Sequence, residues 1–194
     1  PPSGTTPAER PHAMPTAPTQ QPSTERSSRP TPPTGPACPA PLASLEQVPW
    51  DRLQDSTGSA AAIPRLLERI ASGDPGTARA ALDDLRKRVC QYGFVVEQAT
   101  AATVPFLWEL AQRPHVSCRA QIIRLLENIA GARQWEHTAA AYPKLLNRRE
   151  NHVVWERAAR QAVRARRDAL PPLLSEQDTE IARAAAELAR TLGE

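Results

Sequence analysis

A chain of 194 residues, with 14 of its 21 prolines ahead of Trp50, confines its apolar material to the remaining 145 residues, enough for one compact domain and too few for two large ones. Basic side chains outnumber acidic ones by only 24 to 21, so whole-chain charge demands no particular partner. Cys38, Cys90 and Cys118, without a CxxC spacing, fit neither a disulfide framework nor a zinc site, and no run approaches the ~18 apolar residues of a membrane span, so a cytoplasmic protein with no membrane contact is expected.

From residue 1 to 48 the sequence is dominated by Pro, Thr, Ser, Ala and Gln, with almost no aliphatic residue before Leu42. Such a segment cannot offset an ordering entropy of roughly 1–2 kcal/mol per residue, so a disordered tail is predicted. Arg29-Pro30-Thr31-Pro32-Pro33 is the kind of polyproline II segment that an SH3-like groove reads, although a linker or solubilising role fits the same composition. The sole methionine, Met14, lies inside this tail, and residues 1–13 carry no fold argument.

A folded domain is predicted over residues 49–194. Pro49 and Asp51 offer a helix start around Trp50 and Leu53, an N-terminal cap on the first helical hairpin. Then a local pattern recurs: Ala60-Ala61-Ala62-Ile63-Pro64, Ala101-Ala102-Thr103-Val104-Pro105, Ala139-Ala140-Ala141-Tyr142-Pro143 and, more loosely, Asp168-Ala169-Leu170-Pro171-Pro172. Each precedes an apolar pair such as Leu66-Leu67 or Leu145-Leu146. Proline is accepted in the first helical turn, where its missing N–H has no partner anyway, so each copy reads as the start of a short helix.

A second start follows each first one. Asp74-Pro75-Gly76-Thr77-Ala78-Arg79-Ala80-Ala81 matches Asp178-Thr179-Glu180-Ile181-Ala182-Arg183-Ala184-Ala185, and the copies around His115 and Asn151 keep the Arg-Ala pair. Asp and Asn accept bonds from the free first-turn amides. The helices so opened carry apolar residues at helical spacing: Ala81, Leu82, Leu85 and Val89; Ile122, Ile123, Leu126 and Ile129; Val154, Ala158, Ala162 and Ala165; Ile181, Ala185, Leu188 and Leu192. In the first gap, Gly93 within Gln91-Tyr92-Gly93-Phe94-Val95-Val96 is read as the end of a helix, with the next residues packed under the turn.

The repeated helix, turn, helix unit resembles a HEAT repeat, and the copies at Asp74 and Asp178 are similar to that family's turn, in which Asp-Pro is followed by a buried small apolar residue and an Arg. The resemblance covers about Gly58 to Leu192. It implies an all-α fold, a right-handed α-solenoid of about four hairpins that bury a continuous core between neighbours. Spacing between second-helix starts shrinks from about 41 residues to 36 and then 27, so an irregular stack is expected. The family spans scaffolds, cofactor-lyase relatives and base-excision glycosylases, so the resemblance does not choose a function.

The strongest polar feature is basic. Lys144 to Arg167 holds eight basic residues against Glu150 and Glu156, whereas Asp168 to Glu194 is net acidic. At 100° per residue, Arg157, Arg160, Arg164 and Arg167 fall on one helix face, beside Trp155. The resemblance would put this stripe on the concave side. Such a stripe suits carboxylates or phosphates through charge-assisted hydrogen bonds, and Trp155 suits stacking, while a solvated face and a buried tryptophan are the plainer readings. Glu156 between Trp155 and Arg157 is the one arrangement reminiscent of the glycosylase branch. His115, His137 and His152 with Cys90 and Cys118 do not assemble a zinc ligand set by spacing, and no nucleophile, phosphate-loop or paired-carboxylate motif stands out. The expectation is therefore a non-catalytic module that needs no cofactor or metal and binds a protein, with nucleic-acid binding as the alternative.

Overall fold

The computed structural model describes residues 42–144 and 151–193. They are mostly helical, with little strand. Short 3-10 turns at Leu45–Gln47 and Trp50–Arg52 lead into β1 (Gln54–Asp55) and β2 (Gly58–Ser59), a two-stranded antiparallel ribbon. Then come α1 (Ile63–Ser72), α2 (Pro75–Val89), the ribbon β3 (Cys90–Gln91) and β4 (Val95–Val96), α3 (Thr100–Ala111) and α4 (Arg119–Gly131). The chain continues with α5 (Gln134–Ala141), α6 (His152–Arg164), a 3-10 turn at Arg167–Ala169, α7 (Leu170–Leu174) and α8 (Thr179–Gly193).

The caps act as the sequence predicts. The Asp74 carboxylate accepts from the amides of Gly76 and Thr77 at 3.0 and 3.1 Å, and Asp178 from those of Glu180 and Ile181 at 2.9 and 3.3 Å. Asn151 accepts from Val154 at 3.4 Å. Pro64 and Pro171 occupy first turns. Pro105 does not: α3 already begins at Thr100, whose hydroxyl donates to the Val89 carbonyl at 2.6 Å and accepts from the Glu97 amide. There the apolar run Val104, Phe106, Leu107, Trp108 and Leu110, all buried, outweighs the bond lost at the proline. Nor does Pro143 open a helix at Tyr142, because Ala139-Ala140-Ala141 closes α5 instead; Leu145 and Leu146 lie outside the described residues.

Hairpins form between α1 and α2, α3 and α4, α5 and α6, and α7 and α8. The centre of the core is α4, which packs against α3, α6 and most extensively α8, while α6 also lies along α3. Ile122, Ile123, Leu126 and Ile129 are fully buried there, and Leu125 joins them. In a stack where each hairpin meets only its sequence neighbours, α8 would rest on the third hairpin; instead it covers the second. At the other end, Trp50 packs on Phe106 with ring centroids 5.9 Å apart, and its Nε1 donates to the Leu45 carbonyl at 2.8 Å. Leu42 and Leu45 are buried as well, so packing begins upstream of Pro49, inside the stretch predicted as tail. The Leu42 amide donates to Glu109 at 3.0 Å, so these residues join the domain by hydrogen bond as well as by apolar burial.

Two further expectations change. Gly93 does not end a helix: α2 stops at Val89, and three residues, Tyr92 to Phe94, join β3 to β4, with Tyr92 (φ 55°) and Gly93 (φ 82°) at the centre of a tight turn closed by Phe94 N–H to the Gln91 carbonyl at 3.1 Å. Positive φ at both central residues of such a turn is the sign found in type I′ turns. In α6 the buried face is not the predicted one. Ala159 and Val163 are buried together with Glu156 and Arg160, while Val154 is 49% exposed, because a polar pair absent from any apolar pattern turns inward. Among the described residues no helix is long and apolar enough to cross a membrane.

Candidate interaction surface

The structure divides the predicted arginine stripe. Arg160 is buried: its guanidinium donates to the Ala132 carbonyl at 2.9 Å and to Glu136 Oε1 at 2.7 Å, and lies 3.6 Å from Glu156. Arg167 leaves the helix altogether, since α6 ends at Arg164 and Arg167 opens the following 3-10 turn. Arg157 is exposed and reaches Glu136 Oε1 at 3.6 Å. Arg164 is exposed in the last turn of α6, followed by exposed Arg166 and Arg167. The accessible basic arc is therefore Arg157, Arg164, Arg166 and Arg167. Arg160 belongs to the scaffold.

Glu156 has no exposure, and its oxygens accept from the amides of Trp135 and Glu136 at 2.9 and 3.1 Å. A carboxylate in that place caps the N-terminus of α5, satisfying amides that lack helical partners and meeting the positive end of the helix dipole. With both oxygens so engaged, Glu156 is not placed to act on a substrate as a glycosylase acid would. The guanidinium of Arg160, by hydrogen bond and charge, holds Glu136 below the ordinary glutamate value, helped by the charges of Arg157 and Arg133. The spacing of Glu156 and Arg160, one helical turn apart, was the sequence signal for this pair; Glu136, on another helix, gave none.

Trp155 is half-buried beside His152, ring centroids 4.7 Å apart edge to face, and His152 stacks on Trp135 at 4.1 Å. Trp135 in turn donates from Nε1 to the Val96 carbonyl of β4 at 3.2 Å. Trp155 is thus a member of an aromatic stack that fastens α5 and α6 to the β3–β4 ribbon, rather than an open platform. Among the described residues no three His, Cys, Asp or Glu side chains converge as a metal site requires. Cys90 and Cys118 are free thiols, buried, and burial pushes both thiols up, Cys90 to about 12.

Of the residues expected to pack beneath the turn after Gly93, Val96 is buried, but Phe94 stands out on the surface together with Tyr92. Tyr92 is 83% exposed and Phe94 47%, with ring centroids 6.2 Å apart at the tip of the β3–β4 ribbon. The turn signal was present in Tyr92-Gly93, but a bulky residue is unusual at the first positive-φ position. The chain matches no protein-family model, no curated protein and no solved structure.

Proposed function

We propose that the protein is a non-catalytic interaction module that grips an acidic protein partner. We read its four hairpins as HEAT-like units of a right-handed solenoid drawn together where α8 meets α4, and its setting as the cytoplasm, in keeping with the free thiols of Cys90 and Cys118. The observation that carries the reading is the basic arc at the end of α6. Arg164, Arg166 and Arg167 are exposed within four residues of one another and none is ion-paired among the described residues. Gathering like charges raises the energy of the free protein, and carboxylates of a partner relieve it through charge-assisted, bidentate bonds.

The test is capture from native lysate by the full chain and by a variant carrying Arg164→Gln, Arg166→Gln and Arg167→Gln, each with and without nuclease. A partner retained by wild type after nuclease and lost by the variant supports the reading. Equal capture by both chains refutes it. Capture abolished by nuclease replaces it with nucleic-acid binding, and wild-type affinity would then fall steeply with salt, the variant showing a shallower log–log slope by up to about three phosphate contacts.

A further inference from the structure

The ribbon tip carries two anomalies at once. Tyr92 is held at φ 55°, a conformation that costs a non-glycine residue energy, and its ring recovers nothing by burial because it is 83% exposed. Asn or Gly would make the same turn without strain. Phe94 stands beside it, so the tip presents a protruding aromatic pair rather than a polar turn. Just before the ribbon, the last turn of α2 supplies Arg86, Lys87 and Arg88. Arg88 is paired with Asp55 at 2.8 Å, which leaves Arg86 and Lys87 exposed at the base of the knob, Lys87 only 3.8 Å from a surface Asp84.

Elsewhere on the same domain lies the complementary shape. A groove of about 320 Å³ runs between the N-terminal 3-10 turns and the start of α1, with Leu45, Val48 and Trp50 in its floor. Its rim bears the carboxylates of Glu46, Asp51 and Glu68, all exposed, with no cation paired to them among the described residues. An apolar hole with an acidic rim fits an apolar knob with a basic base.

We propose that the Tyr92 and Phe94 knob seats in the acidic groove over Trp50 of a second copy of this chain. The contact joins two different patches, and where each copy gives a knob and receives one, the two equivalent contacts close into a two-fold dimer. Two aromatics bury about 150–250 Å² each, well short of the roughly 1,200–2,000 Å² of a stable interface even when the contact is doubled. The association is therefore weak and concentration-dependent.

Sedimentation velocity of the full chain between roughly 10 µM and 1 mM, a range that brackets weak association, tests this. The wild-type sedimentation coefficient is expected to rise across that range, less steeply at high salt. Tyr92→Asn is expected to abolish the rise and to leave the melting temperature equal or higher, an outcome that separates a binding role from a structural one. A chain with Glu46→Lys and Glu68→Lys, and another with Arg86→Glu and Lys87→Glu, should each stay monomeric alone and associate when mixed, since the swapped charges again match. No rise for wild type, or association that survives Tyr92→Asn, overturns the proposal. Failure of the charge-swapped pair to associate when mixed overturns it too.

Discussion

Arg160 and Arg164 lie four positions apart in sequence with the same side chain, and the structure gives them opposite work. Arg160 reaches Glu136 and the Ala132 carbonyl from a buried position, so Arg160→Gln leaves carboxylates without their cation and is expected to destabilise the domain by about 3–5 kcal/mol. Arg164→Gln, at an exposed position, should change stability by less than about 0.5 kcal/mol. Urea unfolding of the two variants decides between this division and a uniform stripe. Leu126, fully buried at the centre of the core, should cost about 2–5 kcal/mol when replaced by Ala. Cys90 offers a third test. Its folded thiol titrates near 12, above its ordinary value of 9.0, so its contribution to stability is complete below pH 9 and lost as pH rises toward 12. Below that range the buried thiol should resist iodoacetamide until denaturant opens the fold, and rapid labelling of Cys90 in native protein would contradict its burial.

At the scale of elements, α5 differs from every other long helix, because none of its residues is buried. It is held by the Glu156 cap, by Arg160 on Glu136 and by Trp135 on β4. A helix without a buried face opens at low cost, so its amides should exchange faster than those of α4, and Glu156→Gln should raise exchange over residues 134–141 most of all. Acid should loosen it as well. Glu136 has a folded pKa below the ordinary glutamate value, so its stabilising contribution is full above the unfolded value and fades as pH falls through the folded one. Protection factors for α5 amides are expected to drop more than those for α4 as pH falls below the ordinary value of 4.5; equal loss in both would assign the change to global acid unfolding. The same physics decides which features were legible in the sequence. Asp74 and Asp178 cap amides two and three residues away, so local pattern suffices. The face of α6 depends on Glu136, 24 residues before Arg160 in the chain, and an inward-facing Glu and Arg look like solvent-facing residues to any apolar count. Likewise Tyr92 announces a turn only through Gly93 beside it.

Over the whole molecule, α8 on α4 is the packing that joins the last hairpin to the middle of the chain. Removing residues 170–194 should therefore do more than trim one repeat. It uncovers α4 residues at the centre of the core, and the remainder is expected to lose its cooperative melt by circular dichroism; a truncated chain that still unfolds sharply at an unchanged temperature would restore the picture of independent neighbouring units. The same arrangement governs how the protein is made. As the chain leaves the ribosome, α4 emerges early, but the helix that covers it comes only after the stretch from Ala132 to Asp178. At translation rates of about 5–20 residues per second, Ile122, Leu126 and Ile129 wait roughly 2–9 s before α8 begins to appear, with one side open to other nascent chains and to chaperones. For this protein, slow synthesis across that stretch would lengthen the exposure of the helix at the centre of its core, and yield in the cell should respond to translation speed there more than to equal changes downstream of α8's first turns.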